Sequence, residues 1–230
     1  MITAVCISEK SQSLALDIPF VSYTEGYRRT ASRDDNDIER IKYLTCRYNN
    51  AVRFALDKHP STDHLLIIDH YYLQFPREVG MLLSDYRGLD RVILGGSIWY
   101  WARRRIRPWI CYYDTLSAPE FTGKKWWRLE RLPRGIMPVS GVGACWILPR
   151  RIWEKTNGFT IPSPPQAGSS RCLDTSGHRI LLDCNCRLWR THATNPNISD
   201  DPMPKRILTT TRLVREKLRR MTSHQPKAVG

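Results

Sequence analysis

Four consecutive apolar residues, Leu65-Leu66-Ile67-Ile68, end abruptly at Asp69. A strand with one wet face alternates apolar and polar side chains, so an unbroken run of this length belongs to a strand covered on both faces. Such strands are typically parallel, joined by helical crossovers that lie on the two sides of the sheet. The chain supplies matching partners. Ile2 to Ile7 is another short apolar run, and Leu14 to Ser22 is a poorer strand interrupted by Pro19. Asp34-Asp35-Asn36-Asp37 then opens a helix with an acidic first turn, as the helix dipole prefers. Ile38, Ile41, Leu44, Tyr48, Ala51 or Val52, and Ala55 recur in steps of three and four along one face, and His59-Pro60 ends it.

Beyond Asp69 the alternation continues. Pro76 fits a first helical turn, with Val79, Leu82, Leu83 and Tyr86 inward and Gly88 as the stop. Arg91 to Leu94 is a strand running into Gly95-Gly96. Residues 97–138 are rich in Trp, Tyr and Arg without a clear period, and read as irregular strands and loops. Ala144 to Leu148 is a strand, Arg150 to Thr156 a short helix closed by Asn157-Gly158, and Ile180 to Asp183 a further strand. The sum is an α/β protein with a mostly parallel sheet flanked by helices over residues 1–195. Residues 196–222 read as a linker and a basic amphipathic helix carrying Ile207, Val214, Leu218 and Met221, and residues 223–230 as a disordered tail.

Composition narrows the class. The 230 residues are 41% hydrophobic and 25% charged, which excludes collagen-like and wholly disordered chains. No apolar run approaches the roughly 18 to 20 residues that cross a bilayer, and Met1 to Ile7 lacks the basic and apolar regions of a signal peptide. The expected location is cytoplasmic, with or without peripheral membrane attachment. A net charge of +14 favours an anionic partner: nucleic acid, nucleotide phosphates or an acidic membrane. Arg103, Arg104, Arg105 and Arg107 form one basic cluster, and residues 205–220 form another.

The seven cysteines are an odd number, so they cannot all pair within the chain. Cys6 and Cys145 sit in apolar runs as expected of buried thiols. Cys184 and Cys186, with Cys172, His178 and His192 nearby, lack the doubled ligand spacing of a structural zinc site.

Four segments carry a resemblance. Tyr48-Asn49-Asn50-Ala51 with Ala55 looks like an R-N-x-A helix, with Tyr48 where the Arg stands. Leu66-Ile67-Ile68-Asp69-His70-Tyr71, then Phe75-Pro76, looks like an apolar strand ending in D-x-D, with Tyr71 in place of the second acid. Gly141-Val142-Gly143 to Pro149-Arg150, then Gly158-Phe159, matches a small-residue loop, strand, short helix and G-F. Gly177, Ile180 to Asp183, and His192 match a closing Gly, an L-D strand and a His. Together they are similar to the nucleotide-sugar-dependent glycosyltransferases of GT-A fold.

That resemblance implies a Rossmann-like domain moving a sugar from a nucleoside diphosphate-sugar donor to a hydroxyl on a lipid-linked or protein acceptor. Asp69 and His192 would hold Mn²⁺ or Mg²⁺ against the diphosphate. Ser8, Glu25, Asn49, Asp69, Gly141 and Gly143 would surround the donor. The family's acidic pair is absent, since Pro162 to Gln166 fills that stretch, and Asp174 is the nearest acid; Asp114, in Tyr112-Tyr113-Asp114, is the other candidate for acid–base work. Other readings stand beside this one: a basic nucleic-acid-binding protein using its eight Trp and ten Tyr for stacking, though no nucleic-acid-binding motif is visible, or a GT-A fold without catalysis. Residues 205–221 either pack on the domain or rest on an anionic membrane.

Overall fold

A computed structural model describes residues 1–8, 11–25, 38–87, 89, 91–103, 108–113, 118–161, 170, 173, 175 and 177–190. They belong to one compact unit, Met1–Arg190. The expected basic helix and tail after residue 195 lie outside the described residues. So does the acidic opening at Asp34 to Asp37.

Strands β1 (Ile2–Ile7), β2 (Phe20–Tyr23), β3 (His64–Ile68), β4 (Val92–Arg103), β5 (Pro108–Tyr112), β6 (Ile136–Pro138), β7 (Cys145–Pro149) and β8 (Arg179–Trp189) form one sheet. Its order is β2-β1-β3-β7-β4-β8-β6, with β5 on β4. Helices α1 (Ile38–Lys58), α2 (Pro76–Tyr86) and α3 (Arg150–Lys155) are interleaved with the strands along the chain. The α/β class holds. Strands β1, β2, β3, β4 and β8 share one direction, while β7 runs antiparallel between β3 and β4, and β5 and β6 are antiparallel at the periphery. The antiparallel β7 follows from its connection: the chain enters it at the end where β3 finishes, with Cys145 opposite Ile68.

Two apolar clusters cover the sheet. One joins α1 and α3 to Val5, Ile67 and Trp146; the other joins α2 to Cys6, Leu66, Ile68 and Leu94. Alternate residues of β3 therefore enter opposite cores, as its unbroken apolar run requires. Cys6 and Cys145 are buried and unpaired, as expected from their surroundings.

β4 does not stop at Gly95-Gly96. It continues to Arg103, because the two glycines are a sheet irregularity and not a strand end. Gly96 pairs with Asp183, but Ser97 pairs with Arg187, so residues 184–186 of β8 bulge out. Ser97 Oγ donates to the carbonyl of Cys186 at 2.8 Å and receives Trp99 Nε1–H at 2.9 Å, closing the bulge. A Cβ on Gly96 would sit 2.8 Å from Cys186 Sγ, so only glycine fits there. Past the bulge, β5, β4 and β8 form an aromatic extension built on Trp99, Tyr112, Phe121 and Trp126.

Candidate functional site

Residue order reverses across the sheet between β1 and β3. From β1 the chain moves outward to β2, then returns through α1 to β3 on the other side. In open α/β sheets ligands bind outside the carboxyl ends of strands at such a point. Two residues singled out from sequence end those strands: Ser8 follows β1 and Asp69 follows β3.

The backbone of this edge is tightly held. Ser8 N–H donates to the Tyr23 carbonyl at 3.1 Å, which ties the ends of β1 and β2, and the Ser8 side chain is buried. Asp69 N–H donates to the Ala144 carbonyl at 2.7 Å, which ties the end of β3 to the start of β7. Asp69 is extended (φ −74°, ψ 139°) and precedes a short 3₁₀ turn, His70–Tyr72. Its carboxylate is 32% exposed and its Oδ1 lies 3.0 Å from His70 Nδ1. Burial pushes the thiols of Cys6 and Cys145 well up, and the Asp69 charge adds to both.

The turn entering β7 is strained. Ala144 has φ +61°, while Cys145 N–H reaches back to the Gly143 carbonyl at 2.7 Å. A three-residue turn centred on a non-glycine residue in this region costs about 1–2 kcal/mol and tends to occur where a site dictates the backbone. We expect Ala144→Gly to leave stability unchanged or raise it by up to about 1 kcal/mol, and Ala144→Val to lower it by about 2 kcal/mol. Denaturant unfolding of the two variants would measure this, and equal stabilities would show the turn to be unstrained.

No family model matches the chain, and no curated protein matches it.

The other sequence-derived candidates fall in different places. Glu25, exposed beyond β2, accepts from Tyr23 Oη–H at 3.0 Å, and the Arg47 guanidinium lies 4.8 Å from the centre of the Tyr23 ring. Burial and the Glu25 bond together raise the Tyr23 hydroxyl above its ordinary value. Gly141 and Gly143 are buried. Gly143 opens the turn into β7.

Asn49 is committed to the protein itself. Its Nδ2–H donates to the Phe159 carbonyl at 3.0 Å, and its Oδ1 accepts from Phe159 N–H at 2.7 Å and Trp153 Nε1–H at 3.3 Å. These bonds join α1 to the turn after α3. His192, Asp114 and Asp174 lie outside the described residues. Among the described residues no group of three or more His, Cys, Asp or Glu is arranged to hold a metal ion, and no helix is long and apolar enough to cross a membrane.

Sequence reasoning did not single out Asp183 as a site residue. It is fully buried on β8, and its Oδ1 accepts from Asn185 N–H at 2.8 Å within the bulge. The signal was present, since a carboxylate directly after Leu181-Leu182 in a buried strand requires an explanation.

Proposed function

We propose that this chain is a GT-A-like glycosyltransferase, moving a sugar from a nucleoside diphosphate donor to a hydroxyl acceptor. One observation carries the reading: Ser8, Asp69 and the strained Gly143–Ala144 turn line the carboxyl edge of the sheet where strand order reverses. The Asn49–Phe159 bonds support it further, since they join two of the four segments on which the resemblance rests.

Departure of a nucleoside diphosphate develops negative charge that a cation or arginines must stabilise. A divalent ion, when bound, would supply that stabilisation as a Lewis acid. Asp69, at the carboxyl end of β3, would meet such an ion, and a divalent cation prefers several oxygen ligands. His192, the other ligand implied by the resemblance, lies outside the described residues. Asp114 and Asp174 stay the candidates for deprotonating the acceptor hydroxyl.

Calorimetric titration with UDP and with GDP, each with and without Mn²⁺, tests the reading. The chain is expected to bind one of them saturably, and Asp69→Asn to weaken binding at least about tenfold, about 1.4 kcal/mol. Asn keeps the shape and the extended backbone of Asp69 while removing its charge. Absence of saturable binding, or equal affinity in the variant, would overturn the proposal.

A further inference from the structure

Residues 122–131 form an exposed segment on the aromatic extension. All but Trp126 are exposed, and they comprise Lys124, Lys125, Arg128 and Arg131 against the single acid Glu130. Two large apolar side chains stand among these charges: Trp127 is 54% exposed and Leu129 is 40% exposed. Such a mixture is unusual for a surface that meets only water.

The segment is anchored firmly. Trp126 and Ile110 of β5 exchange two backbone hydrogen bonds, at 2.7 and 2.9 Å, and the Trp126 ring packs edge-on against Trp99 at 5.2 Å. Lys124 N–H donates to the Phe121 carbonyl at 3.1 Å, and Leu129–Arg131 is a 3₁₀ turn closed by Arg131 N–H on the Arg128 carbonyl. The half-buried Trp126 fixes the backbone, so Trp127 is turned outward. It rests by its edge on Trp109, 5.7 Å away and inclined at 66°.

We infer that this segment is a docking surface for an anionic phospholipid membrane, with Trp127 and Leu129 entering the headgroup boundary and the four basic side chains meeting lipid phosphates. Exposed Trp beside an aliphatic residue and a ring of Lys and Arg is the chemistry of that boundary, where an amphipathic ring meets hydrocarbon on one side and anions on the other. Single-stranded nucleic acid is the competing anionic partner, and it needs open ring faces for bases. One face of Trp109 is met by the Lys125 ammonium, 5.1 Å from the ring centre, and Leu129 offers nothing to a base. The inference does not depend on the proposed sugar transfer, nor on residues 205–221.

Sedimentation of the full chain with vesicles of phosphatidylcholine alone, or with 30 mol% (about) phosphatidylserine, tests it. The wild-type chain is expected to sediment with the anionic vesicles and not the neutral ones. Each basic residue removed is expected to lower partitioning about fivefold, so Lys124→Ala, Lys125→Ala and Arg128→Ala together lower it roughly a hundredfold. Trp127→Ser, which leaves every charge in place, is expected to lower it about tenfold and to leave the unfolding curve unchanged. Equal sedimentation of the triple variant and the wild-type chain would overturn the inference and assign any membrane contact to another part of the chain. Loss of oligonucleotide binding in the triple variant, with no vesicle binding by the wild-type chain, would overturn it in favour of nucleic acid.

Discussion

Replacing Asn49 with Ala is expected to destabilise the protein by about 3 kcal/mol, seen as a fall of about 6–12 °C in melting temperature. The side chain makes three hydrogen bonds across 104 and 110 residues of sequence, two of them reciprocal with the Phe159 backbone. Truncation also strands the Phe159 N–H and C=O in a largely buried place, since Phe159 is packed between Tyr48 and Trp146 at about 6 Å from each ring. The fit admits no alternative nearby. Gly158 has φ +102°, and a Cβ there would meet Asn49 Oδ1 at 2.4 Å, so the amide and the glycine are complementary. Asn49→Asp separates the contributions, because it keeps the acceptor for Phe159 N–H and Trp153 while turning an acceptor toward the Phe159 carbonyl. A melting temperature within about 2 °C of wild type for Asn49→Ala would mean that the turn after α3 stands without α1.

Asn49 also shows how far a sequence reading reaches. The helical period from Ile38 to Ala55 located α1, and the apolar run from Leu65 located β3, because both patterns are local consequences of which faces are buried. Asp69 and Ser8 could be placed at strand ends for the same reason. The partner of Asn49 could not be inferred from periodicity, since it lies more than a hundred residues away and is a backbone group. The extent of β4 was missed on different grounds. Gly95-Gly96 reads as a stop, but Gly95 answers to the Val142 side chain and Gly96 to Cys186 on the neighbouring strand, and Ile98-Trp99-Tyr100-Trp101 beyond them is a strong β-forming run. The antiparallel β7 was hidden too, because a five-residue apolar strand buried on both faces looks the same in either direction.

Asp183 leads to a prediction about pH. Its carboxyl is fully buried, and its Oδ2 has no hydrogen-bond partner other than what Asp85 of α2 can offer, one acceptor facing another. Burial raises its pKa above the ordinary carboxylate value; backbone N–H groups of Asn185 and Cys186 oppose the shift, and Asp85 reinforces it. Glu78, also on α2, and the thiols of Cys184 and Cys186 complete the titratable surroundings; burial pushes Cys184 up to about 11 and Cys186 well above its ordinary value, so neither thiol carries charge at neutral pH. The folded chain thus keeps a proton that the unfolded chain releases near pH 4, and its stability falls as pH rises through the folded value of Asp183. Asp183→Asn removes this loss. The amide oxygen can still accept from Asn185 N–H, and its NH₂ can donate toward Asp85. At pH 8 the variant is expected to be more stable than wild type by about 1–2 kcal/mol, with the difference vanishing or reversing by pH 4. Urea unfolding of both chains between pH 4 and 8 measures it. Parallel stability curves would mean that Asp183 binds its proton equally in the folded and unfolded chains, and would overturn the raised value.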